Sequence, residues 1–550
     1  MLKSKLLLGI IILASIVRLF SMSTHPGGFT PDEASFGYDA YSILHTGQDQ
    51  WGSWFPLTLK SFGDYKMPVY TYLAMPSISL FGLNIFATRL PNAIFGILAV
   101  WATYLFVMEL FKKKEIALVS SLMLAISPWH IAMSRGAFEA NLTTFFLTIS
   151  LYFLLLSFKN PKYYSFVFVF AGINLFTYHT ARLLTLPVLL LAFLTFAKGY
   201  LKEIRNMRKG LFIASIFVLL TLVSLFSGGG QRLATSNIFS LSNNVFTDRL
   251  SFINAGMPEI LAKITFNKLS YVINIFATKY LDYFSFQFLF TQGAREATYG
   301  MIPGMGVLYW FEIVSVLFAI FFAIKDFDRK IFFIIFWILL SPFPAALSLG
   351  PGLAANRAAF MMPAIQIFSA YGLYKFYEVC IKYFNKKILT FSLSILILFS
   401  VARFVVVQWY VQPVVSQKEM IYGTEELFSY LNQISSSYQT IILDKNISEA
   451  HIFIAFYNKI DPSLFQQTTR TWNFENNGFL WVDQQPEYRV ENYLIRNIDW
   501  QRDLRIPNSL VVYRGEDIPQ NVHIIKVFRY PDQSVSYYLI DTTPNVFAKL

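Results

Sequence analysis

The sequence predicts a multi-span α-helical membrane protein of about eleven transmembrane helices, N-terminus inside and C-terminus outside, carrying a C-terminal extracytoplasmic α/β or α+β domain. Three observations lead there. Of 550 residues, 55% are hydrophobic and only 14% charged, which excludes most soluble and all disordered classes. Long apolar windows recur along the first 410 or so positions, and strand-like segments occur only after them.

The opening MLKSKLLLGIIILASIVRLF has the basic end and apolar run of a signal peptide but no small-residue cleavage site, so it reads as the first span. Further windows of about 16 to 22 apolar residues, near the length a bilayer core demands, begin near Leu90, Ile116, Ala140, Tyr163, Leu183, Leu211, Val307, Ile331, Ala358 and Ile388. Basic residues mark alternate connections: Lys3 and Lys5, Lys112 to Lys114, Lys159 and Lys162, Lys198 to Lys209, Lys325 to Lys330, and Lys382 to Lys387. Short basic loops stay cytoplasmic. The net charge of +12 is therefore a topology signal, and no nucleic-acid partner is expected, because a basic footprint would gather on one accessible domain. A single cysteine, Cys380, leaves no intramolecular disulfide and no cysteine metal cluster.

Residues 1–410 form the transmembrane unit, with a first outer loop at about 23–89 and a long outer loop at about 227–306. Within the latter, LAKITFNKLSYVINIFATKYLDYFSF suits helices lying in the membrane interface. Residues 411–550 form the outer domain, with strands at TIILD (Thr440 to Asp444), SLVVYR (Ser509 to Arg514) and SVSYYLID (Ser534 to Asp541). Its acids lack converging basic partners, so it is expected to fold separately and to position an acceptor without supplying chemistry.

The first outer loop concentrates Asp32, Glu33, Asp39, Asp49 and Asp64 with Lys60, Lys66, Trp51, Trp54 and Tyr65. In GGFTPDEASFGYDAYSILHTG, Thr30 can cap a helix, Pro31 takes its first position and Gly47 closes it. Thr30 with Glu33 is a capping box, whereas Asp32 can either answer the helix dipole or accept a proton. The second outer connection places Arg135 and Glu139 four residues apart, as an ordinary ion pair or as the lining of a water-filled mouth. Tyr178, His179 and Arg182 follow in the third, and Arg357 in the fifth. Several cations on one face suggest an anion, most simply a phosphate.

The order PGGFTPDEASFGYDA, GDYKMPVYTYL, ATRLPNAIFG, SPWHIAMSRGAFE, YHTARLLTLP resembles the GT-C superfamily of polyprenyl-phosphate-sugar glycosyltransferases, in the branch of protein O-mannosyltransferases and the lipid A aminoarabinose transferase. The motifs span residues 1 to about 190. The resemblance implies that Asp32 is general base or acceptor-orienting group, that its neighbour Glu33 completes the acidic pair, and that Glu139 helps to complete the catalytic site. It also implies that Lys66, in Lys66-Met67-Pro68, contacts the donor phosphate. This motif is one residue longer than the family's Lys-Pro. Where the aminoarabinose branch has a metal-binding Glu, this chain has Tyr65, with Asp64 one step away. The metal is not carried over, and His179 with Asp64 stays a candidate pair for a divalent ion.

These readings converge on an inverting glycosyltransferase. It would move a sugar from a polyprenyl-phosphate carrier to a hydroxyl of a protein, lipid or glycan, at the outer face of a prokaryotic cytoplasmic membrane. Asp32 would be the base, and Lys66 and Arg357, with Arg182 and Arg135, would bind the donor phosphate. The alternative is a transporter or flippase of lipid-linked sugars, which should carry ionisable groups at mid-membrane. Here the span interiors are nearly free of them.

Overall fold

A computed structural model describes residues 2–229, 238–239, 245–299, 301–302, 304–350, 353–520 and 522–542. Each of the eleven apolar windows contains a helix. In the first half these are α1 (Leu2–Leu19), α4 (Ile85–Phe111), α5 (Lys114–Ile126), α7 (Leu142–Ser157), α8 (Tyr164–Asn174) and α9 (His179–Phe196), followed by Arg208–Ser224. The connection between α1 and α4 adds α2 (Pro31–Thr46) and α3 (Val69–Phe81), and the one after α5 adds α6 (Pro128–Ser134).

Fewer than eleven of these helices are long and apolar enough to cross a bilayer. Among the described residues six qualify by length and composition, or seven if α5 and α6, bent by 57°, count as one broken span. The physical reason is length and charge. The 11 residues of α8 rise about 16 Å, roughly half of a bilayer core. Glu312–Asp326 has 15 residues, and α1 carries Lys3, Lys5 and Arg18 within 18 residues.

Contacts join several of the basic connections. Glu109 binds both Lys112 and Lys159, Lys113 sits over the Tyr374 ring, Lys375 pairs with Asp326 at 2.7 Å, and Arg329 reaches the Thr195 carbonyl. In the long loop, Lys268–Asp282 exposes Leu269, Ile273 and Leu281, as a helix lying in a membrane interface would.

The C-terminal segment is α/β, and all three strand readings coincide with strands. With β1 (Leu59–Lys60) and β2 (Tyr65–Lys66) paired as a hairpin in the first outer loop, the tail contributes β3 (Thr440–Asp444), β4 (Glu487–Val490), β5 (Tyr493–Arg496), β6 (Ser509–Tyr513), β7 (His523–Arg529) and β8 (Val535–Asp541). Their order is β4-β5-β3-β6-β8-β7, parallel across β5, β3 and β6 and antiparallel towards both edges.

This segment does not stand apart from the connection between α1 and α4. One apolar cluster joins Phe29, Ala34 and Tyr38 around α2 to Phe453, Phe456 and Phe465 of the tail. The Tyr38 hydroxyl donates to the Ile460 carbonyl at 2.9 Å. Gly37 lies where α2, α4 and the Ala450–Tyr457 helix meet, and a Cβ there would come within 2.5 Å of Thr88 Oγ1 and 2.7 Å of the Phe456 ring. Helix α2 is thus wedged between the apolar helix α4 and the C-terminal segment.

Candidate active site

The start of α2 is built as its sequence dictates. Thr30 Oγ1 accepts the Glu33 amide at 3.3 Å, and Glu33 Oε2 accepts the Thr30 amide at 3.1 Å. Gly47, at φ 73°, closes the helix. The Glu33 carboxylate does more than cap. It receives Arg89 Nε at 2.8 Å, Arg89 Nη2 at 3.0 Å and the Ala137 amide at 2.9 Å, and both side chains of the pair are completely buried. Arg89 also donates to the carbonyls of Met22, Pro26 and Gly28. This clamp ties the chain after α1, the head of α2, the head of α4 and the second connection together. The expectation that Glu33 shares the catalytic work changes accordingly, because its oxygens are fully engaged and no solvent reaches it.

Asp32, one residue earlier and about 100° around the helix, faces outward. Its Oδ1 lies 2.7 Å from Lys66 Nζ, with the aspartate side chain 46% exposed and the lysine 5%. Lys66 comes from the β1–β2 hairpin, and its ammonium lies 4.8 Å from the ring centres of both Phe36 and Phe62. The same hairpin is anchored from behind, where His179 Nε2 donates to the Tyr65 carbonyl at 2.8 Å. Asp64 and Tyr65 line a cavity of about 260 Å³ between the hairpin and residues 475–480 of the tail.

The remaining cations separate into two groups. Arg135 is fully buried, with its Nη atoms on the carbonyls of Val17, Phe20 and Ser21 and its guanidinium over the Trp409 ring. It caps the C-terminal end of α1, with Nε buried and without a partner. Arg182 is held by the Leu175 carbonyl and the Ser224 hydroxyl, leaving Nη1 buried without a partner. Arg357 is more open, at 22% exposure, with Glu296 at 3.8 Å and hydrogen bonds to Ser348 Oγ and the Leu349 carbonyl. Thr180, beside His179, donates to the Arg357 carbonyl, which brings the third and fifth connections together. Glu139 is half-buried on the turn Glu139–Asn141, which packs against Ala359–Met361 just after Arg357. The turn at 135–138 separates it from Arg135, so they do not share a helix face. Trp54 is 67% exposed, while Trp51 packs edge-on against Trp472 and Phe474.

Sequence reasoning missed the tail's contribution. Glu449, His451 and Asp483 each offer a ligand atom within 4.8 Å of the others. Among the described residues this trio is the group of three that could hold a metal ion. It sits near enough to Asp32 and Lys66 for both to act electrostatically on Glu449, whose carboxyl is held well above the ordinary range first by burial and then by Asp483. Glu449 and His451, two residues apart at a helix start, were a faint local signal, and Asp483 lies more than thirty residues further on. Arg89 was legible as the Arg of Arg-Leu-Pro, though nothing in the sequence paired it with Glu33.

Residues 65–226 match the family model of dolichyl-phosphate-mannose-protein mannosyltransferase. No curated protein matches the chain. Among solved structures, ArnT from Cupriavidus metallidurans in its apo state superposes with a TM-score of 0.56 at 11% identity, covering 99% of both chains. The same protein bound to undecaprenyl phosphate gives 0.55 at 12% identity, covering 98% of both. An oligosaccharyltransferase from Archaeoglobus fulgidus covers 83% of this chain and 64% of its own at 12% identity, with a TM-score of 0.45. The chain shares the fold of that ArnT over essentially its full length.

Proposed function

We propose that this protein is an inverting glycosyltransferase that takes a sugar from a polyprenyl-phosphate carrier at the outer membrane face and passes it to an acceptor hydroxyl. The observation that carries the reading is the Asp32–Lys66 pair, an exposed carboxylate joined to a buried ammonium. Displacement with inversion needs a base on one face of the anomeric carbon and a cation at the phosphate on the other, so the two groups must part when the donor sits between them. The carboxylate then removes the hydroxyl proton as the oxygen attacks, and the ammonium, drawn off to the phosphate, receives the charge of the departing group. The family match and the shared fold support a lipid-phosphate donor, and undecaprenyl phosphate is bound by the ArnT of similar fold.

In this reading Asp32 is the catalytic base and Lys66 the first phosphate contact. Arg357 supplies a forked second contact from the fifth connection, and Arg182 supports it. Glu139 orients sugar or acceptor hydroxyls. Tyr65, Asp64 and the cavity beside them border the acceptor side, where the outer domain covers the hairpin. His179 positions Tyr65. Glu33, Arg89 and Arg135 hold the framework.

The test is transfer and donor hydrolysis by the purified protein with a short-chain polyprenyl-phosphate sugar, with glycan mass spectrometry to identify sugar and acceptor. Asp32→Asn should abolish product while the protein remains folded in the membrane. Unaltered turnover would remove Asp32 as the base. Vectorial movement of the intact lipid-linked sugar without bond cleavage would replace the reading with a flippase.

A further inference from the structure

The outer domain buries a set of groups that the transfer reaction does not use. His451 is fully buried, its ring boxed by Phe62, Trp472 and Tyr488 with centroids 5.3 to 5.9 Å away. Its Nδ1 lies 3.3 Å from the Tyr488 hydroxyl, and that hydroxyl gives its hydrogen to Asp483 Oδ1. The imidazole must therefore be the donor in its own contact with Tyr488. This leaves Nε2 as a bare lone pair, and Nε2 is buried with no partner. Glu449, 8% exposed, also has a buried oxygen, Oε2, without a partner. Asp483 Oδ2 accepts the Glu449 amide at 2.8 Å, which brings the two carboxylates to one place.

We propose that Glu449, His451 and Asp483 form a binding site for one divalent transition-metal cation of the zinc type, at the seam between the outer domain and the Asp32–Lys66 pair. Two carboxylates and a lone-pair nitrogen enclosed together need a positive charge, because burying unpaired polar atoms and like charges is costly. The donor set of one imidazole and two carboxylate oxygens suits zinc, and three protein ligands leave a fourth position open. Tyr488 plays the outer-shell part usual for a ligating histidine, fixing the tautomer through Nδ1 while also tying down Asp483. A proton shared between Glu449 and Asp483 is the competing way to balance the charge.

Full-length protein in detergent, stripped with a chelator, is titrated with Co2+ while the visible d–d absorption is followed, and zinc content is measured by mass spectrometry after dialysis. One ion per chain is expected, with a band typical of nitrogen and oxygen ligands. Affinity should fall at least about tenfold in His451→Gln and in Glu449→Gln, and stay unchanged in His179→Gln. Glu449→Gln keeps the side chain's shape, and thermal melting verifies the fold, so a collapse of the histidine variant would not obscure the result. Absence of Co2+ and Zn2+ uptake by the wild-type chain would overturn the site in favour of the shared proton. Uptake lost in His179→Gln but kept in both tail variants would overturn it in favour of the membrane-side pair.

Discussion

Asp32 and Lys66 meet at 2.7 Å with opposite environments, the carboxylate nearly half exposed and the ammonium almost wholly enclosed by Phe36, Phe62 and the hairpin. The negative partner is thus the one that an acceptor can reach, and the positive partner is the one shielded from water. Asp32→Asn keeps size and charge-neutral hydrogen bonding but removes the base. Turnover should fall roughly 10²-fold or more with little change in melting temperature, as measured by sugar transfer and thermal unfolding on the same preparation.

Glu33 should behave in the opposite manner. Glu33→Ala strips Arg89 of its buried counter-ion and unties the Ala137 amide. A stability loss of about 3 to 5 kcal/mol is expected, seen as a lowered unfolding temperature or failed insertion. A folded Glu33→Ala protein that has lost only catalysis would show that the roles of the two acids are exchanged.

Arg357 contacts Glu296 at 3.8 Å and keeps part of its guanidinium open. Arg357→Lys preserves charge but not the planar fork, so donor affinity should weaken without full rescue, and Arg357→Ala should weaken it further. Titration with a short-chain polyprenyl-phosphate sugar reads this directly. Equal affinity in both variants would remove Arg357 as a phosphate contact.

Asp39 supplies a pH signature. Burial, and then the nearby Asp49, raise its carboxyl from the ordinary range to about 7, against hydrogen bonds from Gln50 that pull the other way. The folded state therefore holds a proton that the unfolded chain releases earlier. Its contribution is fully present below the ordinary carboxylate range and is lost as pH rises through neutrality. The slope is at most about 1.4 kcal/mol per pH unit. Melting temperature should fall between about pH 4 and 7 from this group, and Asp39→Asn should flatten that part of the curve.

Removal of the outer domain should be more damaging than a detached acceptor-binding module would suggest. Phe29, Ala34 and Tyr38 share a core with Phe453, Phe456 and Phe465, so a chain ending near Gln412 exposes that apolar surface. Such a truncation is expected to aggregate on size-exclusion chromatography. A monodisperse, active truncation would show that the shared core is dispensable.

What the sequence made legible is whatever physics writes within a few residues. The Thr30–Glu33 box, the Gly47 stop, the strands at Thr440, Ser509 and Val535, and the alternation of basic loops all belong to that class. What stayed hidden joins distant positions. Glu33 meets Arg89 across 56 residues and Ala137 across 104, and Tyr38 meets Ile460 across 422. Apolar windows also said where helices lie but not how long each runs, which is why eleven windows gave six or seven helices of spanning length. Arg135 looked like a cation at a pore mouth because composition does not reveal that the carbonyls at the end of α1 lie waiting for it.

The clamp on Glu33 has a mechanical consequence for its neighbour. Asp32 is one peptide unit from a carboxylate gripped by Arg89 and two amides, so the base is a fixed post. Lys66 rides on a hairpin of two-residue strands whose turn leans on Trp481 of the outer domain, where Gly63 leaves just enough room for the indole. On the proposed assignment, a phosphate that drew the ammonium away would load the hairpin arm and, through Trp481, the tail, while the post would stay put.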